Sequence, residues 1–221
     1  MARSWRHPLW ATLLLLAGWL LVVAGYWGPW VGAQATGLRV LGLDLAEYVK
    51  FIAEVRSGQI PVVREVFLLP LMALSLTLSL LAHRPELRLP RLLRWLLNIL
   101  AIPAALSMLP PAWTPGLLLQ PEFAKQTATM AGCLLAALLS YPLLRRLPKT
   151  AVLLAVAFLA VASIVPSVAA FTRLRPALDA IYGHPIRVGR GPWEMALGFS
   201  LVTLACLLAF STSSPDARQG S

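Results

Sequence analysis

Six runs of mostly apolar residues divide this chain, at about 9–25, 63–82, 92–109, 127–144, 150–171 and 194–211. Each is close to the ~20 residues an α-helix needs to cross a hydrocarbon core ~30 Å thick. In that medium every backbone N–H and C=O must be satisfied within the protein, so helices and closed barrels are the only spanning structures. A barrel calls for short segments of alternating polarity, and these runs are apolar throughout. Composition agrees: 58% of the 221 residues are hydrophobic and 13% charged, against about 25% charged in a soluble domain. The reading is an all-α membrane protein, one integral domain over 1–221, a six-transmembrane-helix bundle made of three hairpins.

Lys and Arg near helix ends set the threading. With the N-terminus inside, the inner segments hold Arg3, Arg6, Arg84, Arg88, Arg91, Arg94, Arg145, Arg146, Lys149 and Arg218, with only Glu86 and Asp216 as acids. The longer outer segments hold the other nine basic residues of 19 and seven of the nine acids. Both termini are therefore expected in the cytoplasm of a cell bearing this chain in its plasma or inner membrane. The net charge of +10 lies beside the spans, where it meets anionic lipid headgroups, and no basic platform for nucleic acid stands apart from them. "MARSWRH" and "AQA" at 33–35 resemble a signal peptide's ends, but the interfacial "YWGPW" favours a retained first span. Trp10, Trp95 and Tyr141 near one surface, and Trp27, Trp30, Trp113, Tyr182 and Trp193 near the other, fit aromatic girdles. "SSPDARQGS" reads as a disordered tail at about 212–221.

Ionisable residues inside a membrane mark transport pathways or proton relays, and the spans have none near mid-depth. Ser75, Thr77, Ser79 and Asn98 are expected to hydrogen-bond between helices. Ala124, Ala128, Gly132, Ala136 and Ser140 recur every fourth residue, a spacing that lets a second helix approach closely, inside the bundle or on a partner. Pro70, Pro103, Pro142 and Pro166 are read as shaping the helices. Cys133 and Cys206 lie at different depths and are read as buried thiols. Threading separates His7, His83 and His184, so no histidine-rich metal site is expected, and no cofactor is implied.

Outside the spans, 38–56 is expected to form an amphipathic helix. Leu38, Leu41, Leu45, Tyr48, Val49, Ile52 and Val55 make one face; Arg39, Glu47, Lys50 and Glu54 lie opposite, with Asp44 at the boundary. Such a helix lies at the interface or caps a bundle. Asp44 and Glu47, one turn apart, can converge on one ligand. "GRGPWE" reads as a helix start, where Arg187 and Arg190 suit an anion such as a lipid headgroup, near His184 and Glu194. A single extracytoplasmic site of Asp44, Glu47, His184, Arg187, Arg190 and Glu194 requires 42–56 and 184–194 to meet around a cavity.

The sequence holds no phosphate-binding loop, zinc-protease helix, nucleophile elbow or CxxC pair. The expectation is a non-catalytic subunit of a membrane assembly, of the permease-associated type, partnered by the bilayer and by other subunits or a second copy. The alternatives are a small enzyme acting on lipid at the outer face, and a stand-alone channel or carrier.

Overall fold

A computed structural model describes residues 6–32, 39–110 and 113–211, with side chains from Leu9 onward. Its elements are α1 (Arg6–Tyr26), β1 (Pro29–Gly32), β2 (Val40–Leu41), α2 (Gly42–Tyr48), α3 (Ala53–Arg56), α4 (Leu69–Leu81), α5 (Arg91–Leu106), α6 (Pro115–Leu118), α7 (Ala124–Leu139), α8 (Lys149–Tyr182), β3 (Arg187–Val188) and α9 (Gly191–Ser211). The "AQA" segment, Leu38 and the C-terminal tail lie outside the described residues.

Among the described residues four helical segments are long and apolar enough to cross a membrane: Leu9–Tyr26, Arg64–Leu81, α8 and α9. The helical membrane class therefore stands. The expected count of six spans is not confirmed, because α5 and α7 have only 16 residues each, about 24 Å at 1.5 Å per residue. The turn after α7 contains Pro142, which has no N–H to donate and disfavours helix at the residue before it.

The segment leading through α4 is the centre of the bundle. Of its residues 72% are buried, against 33% for the apolar window of α8. α5, α7 and α8 all pack on α4. Two of its hydroxyls work between helices, as expected: Ser75 Oγ donates to Ala101 O at 2.8 Å, and Trp19 Nε1 donates to Thr77 Oγ1 at 3.3 Å; Ser79 Oγ instead donates to Ser75 O at 2.9 Å, one turn back in the same helix. Ser140 Oγ, just beyond α7, donates to Ser79 O at 2.5 Å. Asn98 departs from the expectation, its buried Oδ1 having no partner among the described residues. Pro70 sits in the first turn of α4, where its missing N–H costs nothing.

α1 and α9 form the closest helix pair, running antiparallel. Ala11, Gly18 and Gly25 on α1 recur every seven residues, as do Gly191, Gly198 and Ala205 on α9. A Cβ on Gly18 would stand 2.8 Å from Gly198 O, and one on Gly198 would stand 2.5 Å from Gly18 O. The backbones touch there, so hydrogen is the only side chain that fits. The expected contact stripe on α7 behaves differently. Steps of four residues advance 400°, a drift of about 40° per step at 3.6 residues per turn. Ala128 and Gly132 are thus exposed, Ala136 is half-buried and Ser140 is buried. The inward face of α7 is Gln126, Met130, Cys133 and Ala137.

α8 has 34 residues, about 51 Å, well past the expected end near 171. Arg173, Arg175, Pro176 and Asp179 made the segment read as a loop. However, Phe171, Leu174, Ala177 and Leu178 are buried and continue the helical face at steps of three and four. Gly183 ends the helix at φ +69°, a left-handed cap.

A three-stranded sheet, order β2-β1-β3 and antiparallel throughout, closes the end of the bundle where α1 finishes and α9 begins. Trp30 on β1 is wholly buried, edge-on to Phe67 at 6.2 Å and Phe171 at 5.4 Å, and donates Nε1 to Gly25 O. It is core, not girdle. The 38–56 amphipathic helix is also corrected. β2 claims Val40 and Leu41, α2 begins at Gly42, and the helix breaks at Ile52, whose ψ is 119°. Leu45, Val49 and Ile52 are nonetheless buried, so the apolar stripe was real although the continuous helix was not.

Candidate functional site

At the sheet end, Arg64 gathers the polar side chains. It precedes α4 in a 3₁₀ turn and is 8% exposed. Its Nη2 donates to Gln126 Oε1 on α7, and Gln126 Nε2 donates to Met108 O beyond α5. Three carboxylates surround the rest of the guanidinium at longer range: Glu122 at 3.6 Å, Glu47 at 3.9 Å and Glu65 at 3.9 Å. Nε and Nη1 make no hydrogen bond among the described residues. Lys50 pairs with Glu47 at 2.7 Å and stands 3.8 Å from Glu122. Both cations lie over the Phe123 ring, Arg64 at 4.6 Å and Lys50 at 5.1 Å from its centre. Arg64, Glu65, Glu122 and Gln126 are functional candidates that sequence reasoning missed. The usable signal was a charged pair and an amide standing at the starts of apolar runs.

Beside this cluster lies a cavity of about 470 Å³ lined by Asp44, Glu47, Tyr48, Phe51, Ser107 and Gln126 together with apolar neighbours. Asp44 and Glu47 thus share one cavity. Asp44 also accepts the Leu41 N–H on Oδ2 at 3.0 Å, holding the start of α2. The other four residues of the expected site are elsewhere. His184 is exposed, its Nδ1 3.2 Å from Pro185 O and its ring against Tyr182. Arg187 is exposed on the edge strand β3. Arg190 is 73% exposed and pairs with Glu194, one helical turn on, at 3.4 Å. Among the described residues no ion pair joins Asp44 or Glu47 to the 184–194 segment, and none of that segment lines the cavity. β1 lies between β2 and β3, which is the physical reason: the two segments flank the same strand on opposite sides.

The opposite end carries a second buried cation. Arg84, 1% exposed, makes a bidentate pair with Glu86 at 2.7 and 3.0 Å. Its Nη1 donates to Arg145 O at 3.2 Å and Leu147 O at 2.6 Å, tying the α4–α5 turn to the α7–α8 turn. His83 next to it packs edge-on against Trp95 at 5.0 Å and Tyr141 at 5.3 Å. Burial pushes the His83 pKa below its ordinary 6.5, and the charges of Arg94 and Arg145 push it the same way.

Compared with known proteins, the chain matches no family model, no curated protein and no solved structure.

Proposed function

We propose that this chain is a non-catalytic subunit of a transport-associated membrane assembly, held to a neighbouring subunit by the outward face of α7. The carrying observation is that this face is smooth and lies on the thin side of the bundle. A Cβ on Gly132 would meet nothing within 4 Å; Ala128 and Ala131 beside it are exposed, as are Leu135 and Leu138 further along. α7 and its neighbour α5 are each about four residues short of the ~20 that match a bilayer. A short span is accommodated by thinning the bilayer or by association with another helix, and small residues let that helix come close.

Two further features support a partnered, non-catalytic role. The long helices carry no ionisable residue near mid-depth, so ion coupling within this chain has no carrier. Asp44 and Glu47 share their cavity with no histidine, serine base pair or cysteine nucleophile, which removes support from the lipid-enzyme alternative. In this reading the sheet end faces outward and the arginine-rich turns face the cytoplasm, against anionic headgroups.

The test is recovery of the full chain from its native membrane in mild detergent, with Gly132→Leu as the comparison. The wild type is expected to bring down a stoichiometric membrane partner, and the variant to lose it while unfolding at the wild-type midpoint. Recovery of the wild type alone and monomeric refutes the reading, as does undiminished partner recovery by Gly132→Leu.

A further inference from the structure

Next to the sheet-end cavity lies a second space, and the two share the lining residue Ser107. A groove of about 280 Å³, almost entirely apolar, runs between α1, α4 and α5 and is lined by Leu16, Trp19, Leu74, Leu97, Leu100 and Ser107 among others. Ser107, just past the end of α5, lines both the groove and the polar cavity. One molecule with a polar head and an apolar tail can therefore occupy both. The groove exists because α1 and α5 both lie alongside α4 without packing closely on one another. From Leu97 to Ser107 it follows ten residues of α5, about 15 Å. That is half of the ~30 Å hydrocarbon core, the depth of a single leaflet measured from the sheet end.

Charge selects the head. Around the cavity stand four carboxylates, Asp44, Glu47, Glu65 and Glu122, and two cations, Lys50 and Arg64. This local excess of acid occurs in a chain with net charge +10. The charged residues that line the cavity itself, Asp44 and Glu47, are both acidic. Phe51, 79% exposed, and Tyr48, 40% exposed, line the same cavity, and aromatic side chains attract cations. We propose that the cavity and groove form one site for a membrane lipid bearing an ammonium headgroup, with the ammonium beside Asp44 and Glu47 and one acyl chain along α5. The site is separate from the α7 face, so it stands or falls independently of the partner reading.

The test uses the full chain in detergent, equilibrated with an equal mixture of phosphatidylethanolamine and phosphatidylglycerol, and reads retained lipid by native mass spectrometry. Counted as the lipid that Leu100→Trp releases, so that anionic lipid held at the arginine-rich turns cancels, the wild type should favour phosphatidylethanolamine over phosphatidylglycerol by about tenfold, the equivalent of one charge-assisted contact. Asp44→Asn keeps an acceptor for the Leu41 N–H and should bring that ratio near one. Leu100→Trp, at a half-exposed groove position, should reduce retention of both lipids several-fold. Leu92→Trp, 82% exposed on the same helix and outside the groove lining, should leave retention unchanged. Equal retention of the two lipids by the wild type, on that count, overturns the ammonium head. Loss on Asp44→Asn without loss on Leu100→Trp overturns the shared site, as does equal loss on Leu92→Trp. Should either variant fail to fold, the wild-type ratio, and its survival when phosphoethanolamine lacking chains is added in excess, decide head and tail directly.

Discussion

One added methyl group at Gly198 tests the seam between α1 and α9. The new Cβ would lie 2.5 Å from Gly18 O, 2.6 Å from Val22 N and 2.8 Å from Val22 Cγ2. These are about 1 Å inside the ~3.5 Å at which nonbonded heavy atoms rest. Two of the three atoms belong to helix backbone and cannot shift alone, so the helices must part along their length. Overpacking of this kind costs about 1–3 kcal/mol, and the higher helix propensity of alanine offsets about 1 kcal/mol of it. Gly198→Ala should therefore lose up to about 2 kcal/mol. Gly18→Ala presses on the same gap, with a Cβ 2.8 Å from Gly198 O. The separation that relieves one relieves the other, so the double variant should lose less than the sum. Gly132→Ala is the control: its Cβ meets nothing within 4 Å, and helix propensity alone should hold or raise stability by up to about 1 kcal/mol. Titration with sodium dodecyl sulfate in mixed micelles, followed by far-UV circular dichroism, supplies the midpoints. A Gly198→Ala midpoint at or above wild type refutes the seam, and so does an equal loss from Gly132→Ala.

Three other outcomes follow from the polar residues. Glu86→Gln leaves the buried Arg84 guanidinium without its charge partner and should cost about 3 kcal/mol in the same titration; Arg84→Met with Glu86→Gln should lose less than the sum of the single variants. His83 is held below its ordinary pKa of 6.5, so the unfolded chain binds the extra proton first as pH falls. Its contribution is complete above about pH 6.5 and is lost as pH drops through the lower folded value. His83→Phe keeps a ring against Trp95 and Tyr141 and should flatten the thermal midpoint between about pH 7.5 and 5. Gln126→Met should cost about 2 kcal/mol, because it leaves Arg64 Nη2 and Met108 O unpaired in the interior.

Periodicity made the apolar elements legible, and pairing between distant segments did not. Ser75 and Thr77 of α4 were recognisable as interhelical hydrogen-bonding groups because a polar atom among apolar residues has few other uses, whereas Ser79 spends its hydroxyl on Ser75 O of its own helix. The burial of Leu45, Val49 and Ile52 was equally visible. The break at Ile52 was not, because the apolar steps of three and four run through Val49, Ile52 and Val55 as they would in an unbroken helix. α8 ran long for a different reason: Arg173, Arg175 and Pro176 look like a loop in isolation, while the buried face through Phe171, Leu174 and Leu178 is fixed by what packs on it. The small-residue pattern on α7 was legible as a stripe, but not which neighbour it faces. Four-residue spacing on α7 drifts around the helix, whereas the seven-residue spacing of Gly18 with Gly25 and of Gly191 with Gly198 stays on one side. Within the candidate site, Asp44 and Glu47 were found because they neighbour one another in sequence. Arg64, Glu122 and Gln126 were missed because only the folded bundle brings them together.

Arg64 and Arg84 bracket the central helix, and the way each is satisfied separates structure from function. A buried guanidinium needs partners, since desolvating an unpaired ion costs several kcal/mol. Arg84 meets that need with a carboxylate two residues away and two backbone carbonyls, all within 3.2 Å. No ligand can enter that set without unfolding a turn, so it is a clamp. Arg64 makes one side-chain hydrogen bond, to Gln126, and otherwise faces carboxylates 3.6–3.9 Å away that belong to three different segments. At that range the pairs fall short of hydrogen bonds, so a water that bridges them from the side breaks no contact the fold depends on. The cavity lies at this loosely satisfied end and borders Glu47 and Gln126, two of the partners of Arg64. A change of charge beside Glu47 is therefore felt first by Arg64 and, through its hydrogen bond, by Gln126 on the inward face of α7.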